Sequence, residues 1–108
     1  MNPTPENLGN AITYQRGGVV SRELARTQGG TVTLFAFDAG QALSEHTAPF
    51  DALIIVLEGK AQATASGKTF AIRDGEYAIL PANKPHALKA ETRFKMLLVM
   101  LKASTTTG

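Results

Sequence analysis

The sequence contains no cysteine and no tryptophan, and only 6% of it is aromatic. Without cysteine there is no disulfide framework, no thiolate metal site and no thiol nucleophile. The absence also fits a reducing compartment, so a cytoplasmic location is expected. No apolar run approaches the ~20 residues that a membrane-spanning helix requires. The opening MNPTPENLGNAITYQRGG lacks a basic stretch followed by an apolar one, so a secretory leader is not expected. Charge of one sign is scarce too. Eleven Lys and Arg against nine Asp and Glu leave a net +2, and the cations are scattered. That pattern offers no footprint for nucleic acid, and no membrane partner is expected.

What is present is a chain of 108 residues with 44% hydrophobic content. This is enough for one small domain spanning 1–108, and it excludes global disorder. The polar or small residues at 1–10 and 103–108 are expected to fray. Turn signals recur along the chain at Gly17-Gly18, Gly29-Gly30, Asp38-Ala39-Gly40, Pro49, Gly59, Ser66-Gly67, Asp74-Gly75 and Pro81–Pro85. Spacing of about 8–12 residues between turns is the rhythm of an all-β sandwich or barrel. Strands are expected at Val19–Arg26, Thr31–Asp38, Ala52–Glu58, Lys60–Ala65, Thr69–Arg73, Glu76–Leu80, His86–Lys89 and Phe94–Lys102. The last of these also fits a helical template, through Phe94, Leu97, Leu98 and Leu101. Its neighbours all read as strands, which favours a strand here.

Ala52–Glu58 is apolar on both faces, with Ala52, Ile54 and Val56 on one and Leu53, Ile55 and Leu57 on the other. Either the N-terminal segment covers the outer face or a second subunit does. The small size of the chain favours a homodimer.

The only two histidines are His46 and His86. Each stands beside a turn, and a closed sheet can bring both to its mouth. Imidazole is the commonest metal ligand and the natural acid–base group near neutrality. A lone inward histidine is more often a hydrogen-bonded core residue; a pair placed by turns points to a site.

These histidines sit in two motifs. Gly40, five residues, His46 and then Gly59 resemble the first cupin motif. Gly75, five residues, Pro81, Asn83 and His86 resemble the second, with Asn83 in place of a turn glycine. The resemblance to small single-domain cupins implies an all-β fold, a small antiparallel barrel or double-sheet jelly roll, often dimeric. It also implies a metal held by three His and one Glu. His46 and His86 match two of those four positions. Ala48 and Ala52 occupy the other two, and Ala90 stands where the second motif closes with Asn. One divalent metal (Fe, Mn, Ni or Zn) and a metal-free barrel are therefore equal expectations. Asp51, turned inward, would complete a two-His, one-carboxylate set with His46 and His86. Otherwise it caps the Pro49 corner.

Ser44 shares strand parity with His46, and Tyr77 stands either in the cavity or outside it. The expected cavity therefore comprises His46, His86, Ser44, Ala48, Ala52 and Tyr77. Three functions compete: a small-molecule-binding barrel, a metal-dependent dioxygenase- or isomerase-like enzyme, and a dimeric scaffold. The fold alone does not choose among them.

Overall fold

The computed structural model describes residues 3–103. Nine strands follow one short 3₁₀ turn at Leu8–Asn10: β1 (Val19–Thr27), β2 (Gly30–Phe37), β3 (Ala42–His46), β4 (Phe50–Glu58), β5 (Lys60–Ala65), β6 (Lys68–Arg73), β7 (Tyr77–Leu80), β8 (His86–Lys89) and β9 (Phe94–Lys102). They form a five-stranded sheet, β1-β2-β9-β4-β7, and a four-stranded sheet, β3-β8-β5-β6. Every pairing is antiparallel. The expectation of an all-β jelly roll holds. Phe94–Lys102 is a strand, and it lies between β2 and β4 with partners on both edges. That position accounts for its apolar residues on both faces.

The core lies between the sheets. Large side chains of the five-stranded sheet, among them Phe37, Ile54, Val56, Phe94 and Met96, meet small ones of the other sheet, Ala61 and Ala63, with Ile72 and Leu88. Pairing large with small across a gap of about 10 Å lets the layers interdigitate. Phe37 and Phe94 stack with ring centroids 4.6 Å apart and plug one end. β9 then runs away from them through Met96, Leu98 and Met100 toward the other end, where the histidines lie.

Two devices shape the frame. Gly59 adopts φ +85°, and a Cβ there would stand 2.4 Å from the Arg93 carbonyl oxygen. Only glycine fits that corner between β4 and β5. Asn83 adopts φ 63° in the Pro81–Pro85 turn, as its replacement of a turn glycine implies.

The first residues are held rather than frayed from Glu6 onward. Glu6 pairs with Arg22 at 3.0 Å, and the Asn7 side chain accepts from the Asn10 N–H. The buried Lys95 ammonium donates to the Gly9 carbonyl at 2.7 Å. Ile12 is buried against Leu34 and Ala36, with Tyr14, Leu57 and Leu97 around it. The Tyr14 hydroxyl donates to Glu58 at 2.8 Å, and Arg93 lies 4.4 Å over its ring. Burial, then the Glu58 carboxylate, raise the Tyr14 pKa. This segment is a strap over part of the outer face of the five-stranded sheet. The frayed tail expected at 103–108 lies outside the described residues beyond Ala103.

Candidate functional site: a cavity closed by two histidines

β3 ends at His46 and β8 begins at His86, and the two are direct cross-strand partners. Their rings meet edge to face, with centroids 4.5 Å apart and planes at 71°. Forty residues of sequence are thus bridged by a single rung of the four-stranded sheet.

A bulge sets their direction. On β8, Leu88 and His86 are two residues apart; on β3 their partners, Leu43 and His46, are three apart. The extra residue lets Leu43 and His46 face the same cavity despite their odd separation. It also breaks the parity that would have placed Ser44 inside. The Ser44 side chain stands exposed, and its carbonyl instead accepts a hydrogen bond from His46 Nδ1–H at 2.9 Å. A carbonyl can only accept, so in neutral His46 the proton sits on Nδ1 and Nε2 is the open acceptor.

His86 is the buried member, 7% exposed, and its Nδ1 is enclosed without a hydrogen-bond partner. Burial, then the neighbouring His46, push its pKa below the usual 6.5, and the nearby Lys84 carbonyl offsets this only in part. Near neutral pH His86 is therefore an uncharged ring.

The cavity measures about 50 Å³. Ten of its twelve lining residues are apolar, and the other two are His46 and His86. Ala48 and Ala52 line it, as expected from the motif, and their short side chains keep it open. Sequence reasoning did not place Leu80, Met96, Leu98 and Met100 in the cavity, and with Phe50 they form much of the wall. The available signal was parity: Phe50, Ala52 and Ile54 share one face of β4, and Met96, Leu98 and Met100 share one face of β9.

Three expected site residues lie elsewhere. Ser44 is displaced by the bulge. Tyr77 is 67% exposed and pairs with Ile55 on the outer face of the five-stranded sheet. Asp51 falls between the inward Phe50 and Ala52, and its carboxylate accepts the Ala82 N–H at 2.8 Å. It fastens the Pro81–Pro85 turn to β4 and does not join the histidines. Among the described residues no three His, Cys, Asp or Glu side chains converge. Two imidazoles fall short of the three or four protein ligands that hold a divalent cation. The residues present do not fit a resident metal.

The backbone around the cavity follows both motifs. Gly40 N–H bonds the Ala90 carbonyl and Ala90 N–H bonds Gln41, while Asn83 N–H bonds Ala48. A model of the cupin domain matches residues 33–101. The chain belongs to the cupin superfamily. No curated protein sequence matches this cupin. Among solved structures it is similar to a conserved protein of unknown function from Streptococcus pyogenes, at 31% identity over 97% of this chain and 92% of that one, with a TM-score of 0.90. A cupin 2 conserved barrel domain protein from Leptotrichia buccalis shares 43% identity over 90% of this chain but only 47% of its own, with a TM-score of 0.87. A cupin superfamily protein from Desulfitobacterium hafniense shares 29% identity over 95% and 94%, with a TM-score of 0.88. Among the described residues of this cupin, no helix is long and apolar enough to cross a membrane.

Proposed function

We propose that this cupin binds a small, uncharged, largely apolar molecule in the cavity between His46 and His86, without a resident metal. The observation that carries this reading is the make-up of the cavity, whose wall is ten apolar side chains and the two imidazoles. The imidazoles are the polar groups such a ligand's hydroxyl or carbonyl would meet there. A charged ligand is disfavoured, because a neutral His86 in an apolar wall does not compensate an ion. The size of the cavity sets the reach. An apolar cavity of about 150 Å³ accommodates benzene, so about 50 Å³ takes only a few non-hydrogen atoms. A larger ligand extends past the exposed His46 into solvent. Met96 and Met100 give the wall some freedom to adapt.

A second reading rests on the same pair. A neutral buried His86 touching a second imidazole is equipped for general acid–base catalysis near pH 7 without a metal. It shares the ligand class and adds a proton transfer.

The test is a calorimetric titration with 2-butanone, n-butanol and butyrate, run on protein whose metal content is measured in parallel. The reading expects the ketone or alcohol to bind metal-free protein, butyrate to bind at least about tenfold more weakly, and His86→Phe to abolish binding. Stoichiometric metal on the purified protein, or equal affinity for butyrate, contradicts it.

A further inference from the structure

His46 is exposed and His86 is buried, so the pair marks the boundary between the cavity and solvent. Three lysines stand along that boundary. One rung crosses the whole four-stranded sheet: His46 is opposite His86, His86 opposite Ala65, and Ala65 opposite Lys68. Residues opposite one another share a face, so Lys68 leaves the sheet on the side of the histidines. On the facing sheet Met96, Leu98 and Met100 line the cavity, and Lys102 is the next residue of that alternation on β9. Lys102 is opposite Phe50, itself a cavity residue. Lys84 lies two residues before His86, and its carbonyl is close to the His86 ring. All three lysines are exposed, and among the described residues none of them meets a carboxylate in an ion pair. The other charges nearby are placed differently. Asp51 takes the Ala82 N–H, and Arg26, on the rung of Thr31 and Met100, is paired with Glu23. Glu45 lies in the bulge with Ser44, across from Ala87, which alternates with the inward His86 and Leu88.

We propose that the uncharged group held in the cavity is one end of a longer ligand whose other end is an anion, a carboxylate or phosphate, received by Lys68, Lys84 and Lys102. This rests on the cavity reading above and adds the far half of the ligand. The first argument is size. A cavity of about 50 Å³ holds only a few non-hydrogen atoms, so most of a larger molecule lies outside it, beside these lysines. The second is charge. Exposed ammonium groups without carboxylate partners attract an anion at little desolvation cost, whereas the apolar wall inside repels one. The third is reach. Lys68 stands two strand spacings, about 10 Å, from His86, so its ammonium meets a group just beyond the histidines and not one between them. Butyrate is too short for this arrangement, because its carboxylate is the group that meets the imidazoles. A longer chain keeps an uncharged group there and carries its charge outward.

Calorimetry with 7-oxooctanoate and 2-octanone, which share a methyl ketone and a chain length, tests the proposal. At an ionic strength of about 20 mM the keto acid is expected to bind at least about fivefold more tightly, and the preference is expected to shrink at about 500 mM. Combining Lys68→Gln, Lys84→Gln and Lys102→Gln is expected to abolish the preference while leaving 2-octanone affinity within about twofold. Should that variant fail to fold, Lys68→Gln and Lys102→Gln are read singly, each lowering the preference at least about twofold. Lys60→Gln with Lys89→Gln removes charge from the outward face of the same sheet, where Lys60 is opposite Arg73 and Lys89 opposite Gln62. It is expected to keep the preference, which separates these three lysines from net charge. If 2-octanone binds and 7-oxooctanoate binds no better, this inference falls and the cavity reading stands. A preference that survives the triple variant, or that Lys60→Gln with Lys89→Gln abolishes, also overturns it. If neither compound binds, the cavity reading falls and takes this inference with it.

Discussion

His86 carries the most information of any single side chain. Its pKa is lowered by burial and by His46, so below pH 6.5 the unfolded chain takes up a proton that the folded protein resists. Stability is therefore full above pH 6.5 and falls as pH drops toward the folded-state pKa. Urea midpoints at about pH 7.5 and about pH 5.5 measure this, and His86→Gln is expected to flatten the difference. A pH-independent wild type would contradict the burial argument. Ala48 and Ala52 make the complementary case. Both line the cavity beside two correctly placed imidazoles. Ala48→His combined with Ala52→Glu is expected to take up about one divalent metal per chain, measured by elemental analysis, because it raises the donors from two to four. At this scale the sequence was legible where backbone dictates residue type. Asn83 in its left-handed turn followed from its place in the motif. Ser44 did not, because a bulge leaves no mark in composition, and one extra residue reverses strand parity.

At the scale of elements, most of the strands were read from alternation and turn chemistry. β3 was the exception. Its exposed Ala42, Ser44 and Glu45 leave Leu43 as its only inward apolar side chain, and the structure shows it at the edge of its sheet. β9 was ambiguous because both of its faces are buried or partly covered, which erases the period that separates strand from helix. Its central place in the sheet resolves this. The β4–β5 corner yields a sharp prediction. Gly59→Ala combines a left-handed φ of +85° with a Cβ 2.4 Å from the Arg93 carbonyl. It is expected to cost about 2–4 kcal/mol, seen as a lower urea midpoint at unchanged slope. The strap yields another. Ile12 is 5% exposed on Leu34 and Ala36. Ile12→Ala is expected to cost about 2–3 kcal/mol, measured in the same way, and a loss near zero would mean that the strap is not part of the cooperative unit.

For the whole molecule, the jelly roll could be read because turn spacing, alternation and the two motifs agree. The cavity could be read only in outline. His46, His86, Ala48 and Ala52 came from the motif, whereas the apolar wall depends on which strands face one another across the barrel. Asp51 and Tyr77 were left open for one shared reason: parity against a neighbour decides inside from outside, and Pro49 and the Gly75 turn obscure where that count begins. The architecture then divides the molecule by use. Phe37 and Phe94 close one end, the histidines line the cavity at the other, and the outer sheet face lies apart from both. The account stands on the claim that the space beside His86 receives a small uncharged ligand. Met96 and Met100 lie in its wall, so their side-chain methyls report on it directly. With methyl-labelled methionine, titration of 2-butanone to about 50 mM is expected to shift both resonances saturably in the wild type, and His86→Phe is expected to remove the shift. Methyl resonances that stay unmoved in the wild type across that titration would contradict the account.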